Sequence, residues 1–115
     1  MFVVASGSGA THAGLLAGLR GSGSKVVVIG CCLRRAAALQ GPRIDRVLER
    51  LADLYSPANN VIRQDICVWD GAFAPGYGRI GPKSLDATKL VASQEGLFLD
   101  PVYTAKSFAA ITTSC

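Results

Sequence analysis

The chain has 115 residues, of which 50% are hydrophobic and 17% charged; this composition allows one small folded domain and excludes an intrinsically disordered chain. The net charge of +4 comes from interleaved acidic and basic residues, as at Arg43, Asp45 and Arg46, so we expect no nucleic-acid partner. No apolar stretch has the length of a membrane span, and we expect no membrane partner and no signal segment.

The cysteines predict neither a disulfide framework nor a metal site. Cys31 and Cys32 are adjacent, Cys67 stands alone, Cys115 is terminal, and His12 is the single histidine. These positions provide no Cys-x-x-Cys pair and no zinc ligand set, so we expect no bound metal. Free, buried thiols are typical of a reducing compartment, and we therefore expect the protein in the cytoplasm.

A phosphate site is the first function that the sequence suggests. The sequence predicts a short buried strand at residues 2–5 and an apolar helix at residues 10–20. A turn of glycines and hydroxyl residues joins them. Backbone N–H groups at a helix N-terminus favour an anion, and glycines let it approach closely. The turn lacks the dinucleotide, Walker A and nucleophile-elbow patterns, so an ordinary strand-to-helix turn remains the alternative. The candidate binding residues are Ser6, Gly7, Ser8, Gly9, Ala10 and Thr11.

The order of the remaining elements predicts a parallel sheet. The predicted strands are residues 2–5, 25–30, 66–69 and 97–99. The predicted helices are residues 10–20, 42–56 (opened by Pro42), 84–95 (closed by Gly96) and one that begins at Asp100. Alternating strands and helices are typical of an open, twisted α/β sheet in three layers. Because both ends are abrupt, we expect residues 1–115 to form a single, partial domain of this class.

Two tyrosines follow predicted strands and are candidate ligand-binding residues. Tyr77 lies between glycines in the long loop at 71–82, and Tyr103 lies at the start of the last predicted helix, followed by Thr104. In parallel sheets, ligands bind at the edge where such loops meet. Packing anchors are the alternative interpretation of these side chains. No lysine has the features of a residue that forms a Schiff base; Lys106 lies inside the last helix.

Three segments together resemble one enzyme family. They are Ser6-Gly-Ser-Gly-Ala-Thr-His-Ala-Gly-Leu; Trp69-Asp70 with Phe73-Ala-Pro-Gly-Tyr-Gly; and Glu95-Gly96 with Leu99-Asp-Pro-Val-Tyr-Thr-Ala-Lys. They are similar to D-cysteine desulfhydrase and 1-aminocyclopropane-1-carboxylate (ACC) deaminase, which are pyridoxal-phosphate enzymes of the tryptophan synthase β-like fold. The resemblance spans residues 2 to about 110 and implies pyridoxal 5'-phosphate as the cofactor, a small amino acid as the substrate and a homodimer for the full-length protein.

The resemblance also implies roles for the candidate residues. The loop from Ser6 to Thr11 would hold the cofactor phosphate, and Tyr77 and Tyr103 would lie near the reacting carbon and the amino group of the substrate. Deaminases of the family carry a glutamate where this chain has Thr104, opposite the pyridine nitrogen. A neutral hydroxyl there makes the ring a weaker electron sink, which suits elimination of a good leaving group. The implied reaction is conversion of D-cysteine to pyruvate, hydrogen sulfide and ammonia.

Some parts of the family pattern do not match. The Schiff-base lysine and the substrate-carboxylate loop of the family would precede Met1, and its closing segment would follow Cys115. We therefore expect an inactive C-terminal fragment, and whether this chain is itself an enzyme stays open. The alternatives are a non-catalytic α/β remnant that binds at most a phosphate, and an ACC deaminase.

Overall fold

The computed structural model describes residues 1–114, and this part of the chain folds into a parallel sheet with helices packed on it. The strands are β1 (Phe2–Ser6), β2 (Val28–Cys32) and β3 (Cys67–Trp69). The α-helices are α1 (Ala10–Gly21), α2 (Ala37–Leu54), α3 (Pro82–Glu95) and α4 (Thr104–Ser114), and short 3₁₀ turns cover Ser56–Asn60 and Arg63–Asp65. The predicted α/β class with an open parallel sheet is confirmed.

The sheet brings three loops to one edge. The strand order is β1-β2-β3 and both pairings are parallel, with Ser6 opposite Cys32 and Cys31 opposite Trp69. Since parallel strands all end at the same side, the segments after Ser6, Cys32 and Trp69 emerge together there. This edge is the one on which the sequence places its candidate residues.

The predicted fourth strand at residues 97–99 is wrong for the described part of the chain. This segment has no regular structure, and Leu97 and Phe98 are exposed to 55% and 91%. Among residues 1–114, the sheet order β1-β2-β3 leaves the outer edges of β1 and β3 unpaired, and residues 97–99 pair with neither of them. The strand predicted at 25–30 also lies further along the chain, at Val28–Cys32.

Helix α2 begins at Ala37, so the prediction that Pro42 opens it is wrong. The Asp70 carboxylate, which follows β3, accepts a hydrogen bond from the Ala37 N–H at 2.9 Å and satisfies the start of the helix. Pro42 therefore lies inside the helix. The expected apolar face is confirmed at Ile44 and Leu48, which are buried, but not at Leu54, which is 89% exposed.

The helices pack in pairs, α1 with α2 and α3 with α4. The first pair buries a cluster of small and branched side chains: Ala13, Ala17, Ile44, Leu48 and Ala58. The second buries Ala72, Ala87 and Ala109, with Trp69 and Phe108 against them. As predicted, Gly96 ends α3 in the left-handed conformation, with φ 67°. Asp100 caps a turn that leads into α4, and the helix itself begins at Thr104.

Candidate functional site

The glycine-rich loop between β1 and α1 lines a cavity at the C-terminal edge of the sheet. The first helical hydrogen bond of α1 joins the Ala13 N–H to the Gly9 carbonyl at 2.9 Å, and a first helical turn leaves N–H groups without acceptors inside the helix. The cavity has a volume of about 210 Å³. Its lining residues are Ala5, Gly7, Ser8, Gly9, Thr11, Leu33, Arg34 and Tyr103. Four of the six predicted loop residues thus face one space with Tyr103.

Only glycine fits the position that starts α1. Gly9 has φ 94°, a left-handed conformation that L side chains rarely adopt, and a Cβ there would lie 2.8 Å from Cδ1 of Ile44. A Cβ at Gly7 would meet no atom closer than 3.8 Å, so this position is not crowded. The loop is therefore a tight turn closed against α2 on one side and open on the other.

The two remaining loop residues lie outside the cavity lining. The Ser6 side chain is buried, with its Oγ 2.7 Å from Nε2 of Gln40 and 3.1 Å from Nδ1 of His12. Ala10 is exposed at the start of α1. Ser6, a candidate binding residue, therefore directs its hydroxyl into the protein interior and not into the cavity.

Three side chains from outside the loop hold its carbonyl groups. Arg35 donates to the Gly7 carbonyl at 2.8 Å and to Oε1 of Gln40 at 2.8 Å, and Arg43 donates to the Ser8 carbonyl at 2.6 Å. Nε2 of Gln40 lies 3.2 Å from the carbonyls of both Ser6 and Gly7. These contacts fix the loop carbonyls, the guanidinium groups add positive charge beside the loop, and the Ala10 N–H donates to Ser8 Oγ at 3.4 Å. Sequence reasoning missed this network.

The predicted tyrosines meet at the same edge. The hydroxyls of Tyr77 and Tyr103 are 2.9 Å apart, and their rings are edge-to-face with centroids separated by 6.4 Å. The Arg34 guanidinium lies 4.8 Å from the centre of the Tyr77 ring, with Nη2 3.5 Å from its hydroxyl. Tyr77 and Tyr103 are 45% and 42% exposed, so a small molecule can reach both. Arg34 was not predicted; its position two residues after the end of β2, at the loop edge, was the available signal.

The hydrogen bond between the tyrosines separates their acidities. The hydrogen bond with Tyr103, together with the hydrogen bond and charge of Arg34, lowers the pKa of Tyr77. The same contact with Tyr77 raises the pKa of Tyr103. Of the two phenols, Tyr77 therefore loses its proton first, and Tyr103 keeps its proton to donate it to the Tyr77 oxygen.

Thr104 lies beside the tyrosines, but its hydroxyl is engaged locally. Oγ1 is 2.7 Å from Oδ2 of Asp100 and accepts a hydrogen bond from the Asp100 N–H at 2.8 Å. The hydroxyl of Thr104 and the N–H of Tyr103 hold the pKa of Asp100 below its usual value. Thr104 thus belongs to the capped turn that presents Tyr103.

Residues 1–114 contain no group of three or more His, Cys, Asp or Glu side chains arranged to hold a metal ion, and no helix among them is long and apolar enough to cross a membrane. Cys31 and Cys32 are buried, Cys67 is partly exposed, and all are unpaired thiols. Cys115 lies outside the described residues.

The family profile described as "Pyridoxal-phosphate dependent enzyme" matches residues 1–115. This chain belongs to that family. It is 43% identical over 109 residues to the D-cysteine desulfhydrases of Salmonella schwarzengrund and Salmonella paratyphi C, covering 95% of this chain and 32% of each relative. A solved structure described as an ACC deaminase homologue matches with a TM-score of 0.78 and 28% identity, over 97% of this chain and 33% of that one.

These matches confirm the resemblance drawn from the three segments. They also show that this member of the pyridoxal-phosphate family spans about a third of the length of the relatives it matches. The same α/β fold is present in the solved ACC deaminase homologue.

The cavity fits the family's cofactor, pyridoxal phosphate, at its phosphate end. A phosphate needs N–H and hydroxyl donors and positive potential. The loop provides backbone N–H groups at the α1 N-terminus, the hydroxyls of Ser8 and Thr11, and a glycine cradle that a Cβ at Gly9 would disrupt. Tyr103 and Arg34 line the remaining wall.

Proposed function

We propose that this chain is part of a pyridoxal-phosphate-dependent lyase of the D-cysteine desulfhydrase type, which converts D-cysteine and water to pyruvate, hydrogen sulfide and ammonia. The observation that supports it most is the convergence of the glycine loop and the Tyr77–Tyr103 pair on one edge of the sheet. The names of the relatives at 43% identity support the substrate class.

In this proposal the residues of the loop hold the cofactor and the tyrosines handle protons. The N–H groups of residues 7–9 and 11, with the hydroxyls of Ser8 and Thr11, bind the phosphate. The cofactor, when bound, supplies the electron sink that stabilises negative charge on the substrate carbon. Tyr77 Oη accepts or returns a proton near the reacting atoms, because its pKa is the lowered one of the pair. Tyr103 Oη donates to it and keeps it in place.

Cofactor binding by the chain itself is the first test. Pyridoxal phosphate is titrated against the wild type, Gly9→Ala and Gly23→Ala, and binding is followed by absorbance. Both glycines have a left-handed φ, 94° and 86°, but only at Gly9 does a Cβ meet a neighbouring atom. We expect Gly9→Ala to lose affinity at least tenfold and Gly23→Ala to match the wild type; equal affinity in all three contradicts the proposed phosphate loop.

A remnant that binds only phosphate is the second candidate, and competition experiments separate the two. Under the lyase proposal, inorganic phosphate competes weakly and pyridoxal phosphate binds more tightly, because Tyr103 and Arg34 contribute contacts to the rest of the molecule. If pyridoxal phosphate and inorganic phosphate bind equally, the remnant is the better description.

The choice between D-cysteine and ACC as the substrate depends on Thr104. Its hydroxyl is neutral and bound to Asp100, and we propose that it leaves the pyridine nitrogen without a carboxylate partner. Because a solved ACC deaminase homologue matches the fold of this chain, an ACC deaminase is the alternative. The chain replaces the matching segment of the Salmonella schwarzengrund D-cysteine desulfhydrase, and kcat/KM is measured for both substrates with and without Thr104→Glu. We expect D-cysteine to be preferred by the Thr104 chimera and ACC turnover to rise in the variant; greater ACC turnover by the Thr104 chimera contradicts the desulfhydrase assignment.

The remaining expectations stay proposals. We propose that residues 1–115 are one part of the catalytic unit and are inactive alone. The unpaired thiols of Cys31 and Cys32 support a reducing compartment such as the cytoplasm. Leu97 and Phe98 are exposed, and we propose that the rest of the protein or a second copy of the chain covers them. Size-exclusion chromatography tests whether the chain forms a dimer.

A further inference from the structure

Lys106 is a fully buried lysine that the proposed chemistry does not use. It lies in the first turns of α4, and its side chain has no exposed surface. Its Nζ donates to the Phe73 carbonyl at 3.0 Å and to the Gly76 carbonyl at 2.8 Å, and it lies 5.7 Å from the centre of the Phe73 ring. An ammonium group is expensive to bury, and these acceptors compensate for the water that it loses.

The two carbonyls belong to the segment that carries Tyr77. Gly76 immediately precedes Tyr77 and has φ 145°, and Gly78 immediately follows it with φ 74°. Such a glycine-flanked tyrosine has few backbone restraints of its own. The contacts from Lys106 are therefore the polar attachment of this segment to α4, over 30 to 33 residues of sequence.

Helix α4 also presents the partner of Tyr77. Tyr103 directly precedes α4, and its carbonyl accepts a hydrogen bond from the Ser107 N–H at 3.2 Å, so Tyr103 and Lys106 share one helical turn. A single rigid turn thus holds Tyr103 directly and the Tyr77 segment through Lys106. The distance of 2.9 Å between the two phenol oxygens depends on both attachments.

We propose that Lys106 is the positioning residue of the tyrosine pair: its ammonium, bound to the carbonyls of Phe73 and Gly76, holds Tyr77 Oη in hydrogen-bonding reach of Tyr103 Oη. A role of Lys106 in catalysis rests on the proposed function, but its effect on the geometry of the tyrosine pair is independent of that function. Burial lowers the pKa of Lys106, yet its amine points at two carbonyls and not into the cavity. That geometry assigns it a role in position and not in covalent chemistry.

Alkaline titration of tyrosine absorbance tests the proposal without cofactor or substrate. The chain has three tyrosines, Tyr55, Tyr77 and Tyr103, and the earliest ionisation is identified as that of Tyr77 by its loss in Tyr77→Phe. The charged neighbour of the pair is Arg34. In Lys106→Met we expect the early ionisation to move to the ordinary tyrosine range. Lys106→Arg can still donate to both carbonyls, so we expect this variant to recover the early ionisation at least in part. Lys89→Met, at an exposed position of α3, should titrate like the wild type.

If Lys106 only stabilised the core, its replacement would lower the stability of the fold without changing the tyrosine titration of the folded chain. Far-UV circular dichroism shows whether each variant folds. A folded Lys106→Met chain that keeps the early ionisation overturns the proposal. If Lys106→Met does not fold, Gly76→Ala tests the same attachment from the loop, where a Cβ has open space but the backbone must shift. We expect it to lose the early ionisation too, and an unchanged titration overturns the proposal. Absence of turnover in the chimera with an intact titration pattern rejects the proposed function and leaves this inference standing.

Discussion

Lowering the pH from 7 to 5 should destabilise the fold through one side chain, His12. Its ring is fully buried, Nδ1 is hydrogen-bonded to Ser6 Oγ at 3.1 Å, and Nε2 has no hydrogen-bond partner among the described residues. Desolvation lowers the pKa of His12 from 6.5 to about 4. His12 is the single histidine of the chain, so no other side chain has its ordinary pKa in this window.

The direction and size of the effect follow from the two pKa values. Below pH 6.5 the unfolded chain binds the proton and the folded chain does not, so protonation favours unfolding. The stability that neutral His12 permits is complete above pH 6.5 and is lost as the pH falls towards 4. The full separation corresponds to about 3 kcal/mol, of which about 2 kcal/mol is lost between pH 7 and pH 5.

The assay is urea unfolding at pH 7, 6 and 5, monitored by circular dichroism, for the wild type and His12→Gln. Glutamine does not titrate and keeps an amide that can contact Ser6, so the variant should lose little stability over this range, whatever its stability at pH 7. The difference between the two pH slopes isolates the histidine. If the wild type and His12→Gln lose the same free energy of unfolding, the burial argument for His12 is refuted.

Three further predictions use the same structure. Gly30→Ala places a Cβ against Nδ1 of His12 and should cost about 1–3 kcal/mol in urea unfolding, whereas Gly41→Ala, which meets nothing within 4 Å, should cost nothing. Asp100→Ala removes the carboxylate that caps the N–H groups of residues 102–104 and should cost about 1 kcal/mol by the same measurement, with a change in tyrosine titration because the capped turn presents Tyr103. No lysine lines the cavity in the described part of the chain, so borohydride reduction with pyridoxal phosphate should give no stoichiometric adduct at a single lysine; such an adduct, mapped by mass spectrometry, contradicts this.

Features that depend on residues close together in the sequence could be predicted from the sequence. The turn from Gly7 to Gly9 and the end of α3 at Gly96 both rest on local backbone geometry, and both appear where the glycines predict them. The parallel order of β1 to β3 follows from the alternation of strands with helices. That order brings the loop that carries Tyr77, which follows β3, to the edge that holds the glycine loop, whereas Tyr103 follows no strand and is presented by the turn that Asp100 caps.

The missed features depend on contacts between distant parts of the chain. Helix α2 starts at Ala37 because Asp70, 33 residues away, caps it, and no local pattern reports that carboxylate. Residues 97–99 have the composition of a strand but pair with no strand among the described residues, although the outer edges of β1 and β3 are unpaired. Arg34 reaches Tyr77 across 43 residues of sequence, and no local pattern reports that contact.

The two halves of the candidate site are held by the same physical device. On the loop side, Arg35 and Arg43 bind carbonyls of Gly7 and Ser8; on the tyrosine side, Lys106 binds carbonyls of the segment before Tyr77. A cation on a carbonyl fixes the orientation of the whole peptide group, since its N–H must then point the other way. None of Arg35, Arg43 and Lys106 lines the cavity. Each therefore influences a ligand through the backbone that it orients, and the two arginines also through their charge beside the loop, but not by direct contact. Substitution of any of them should therefore weaken binding or proton transfer while leaving the groups that contact the ligand chemically intact.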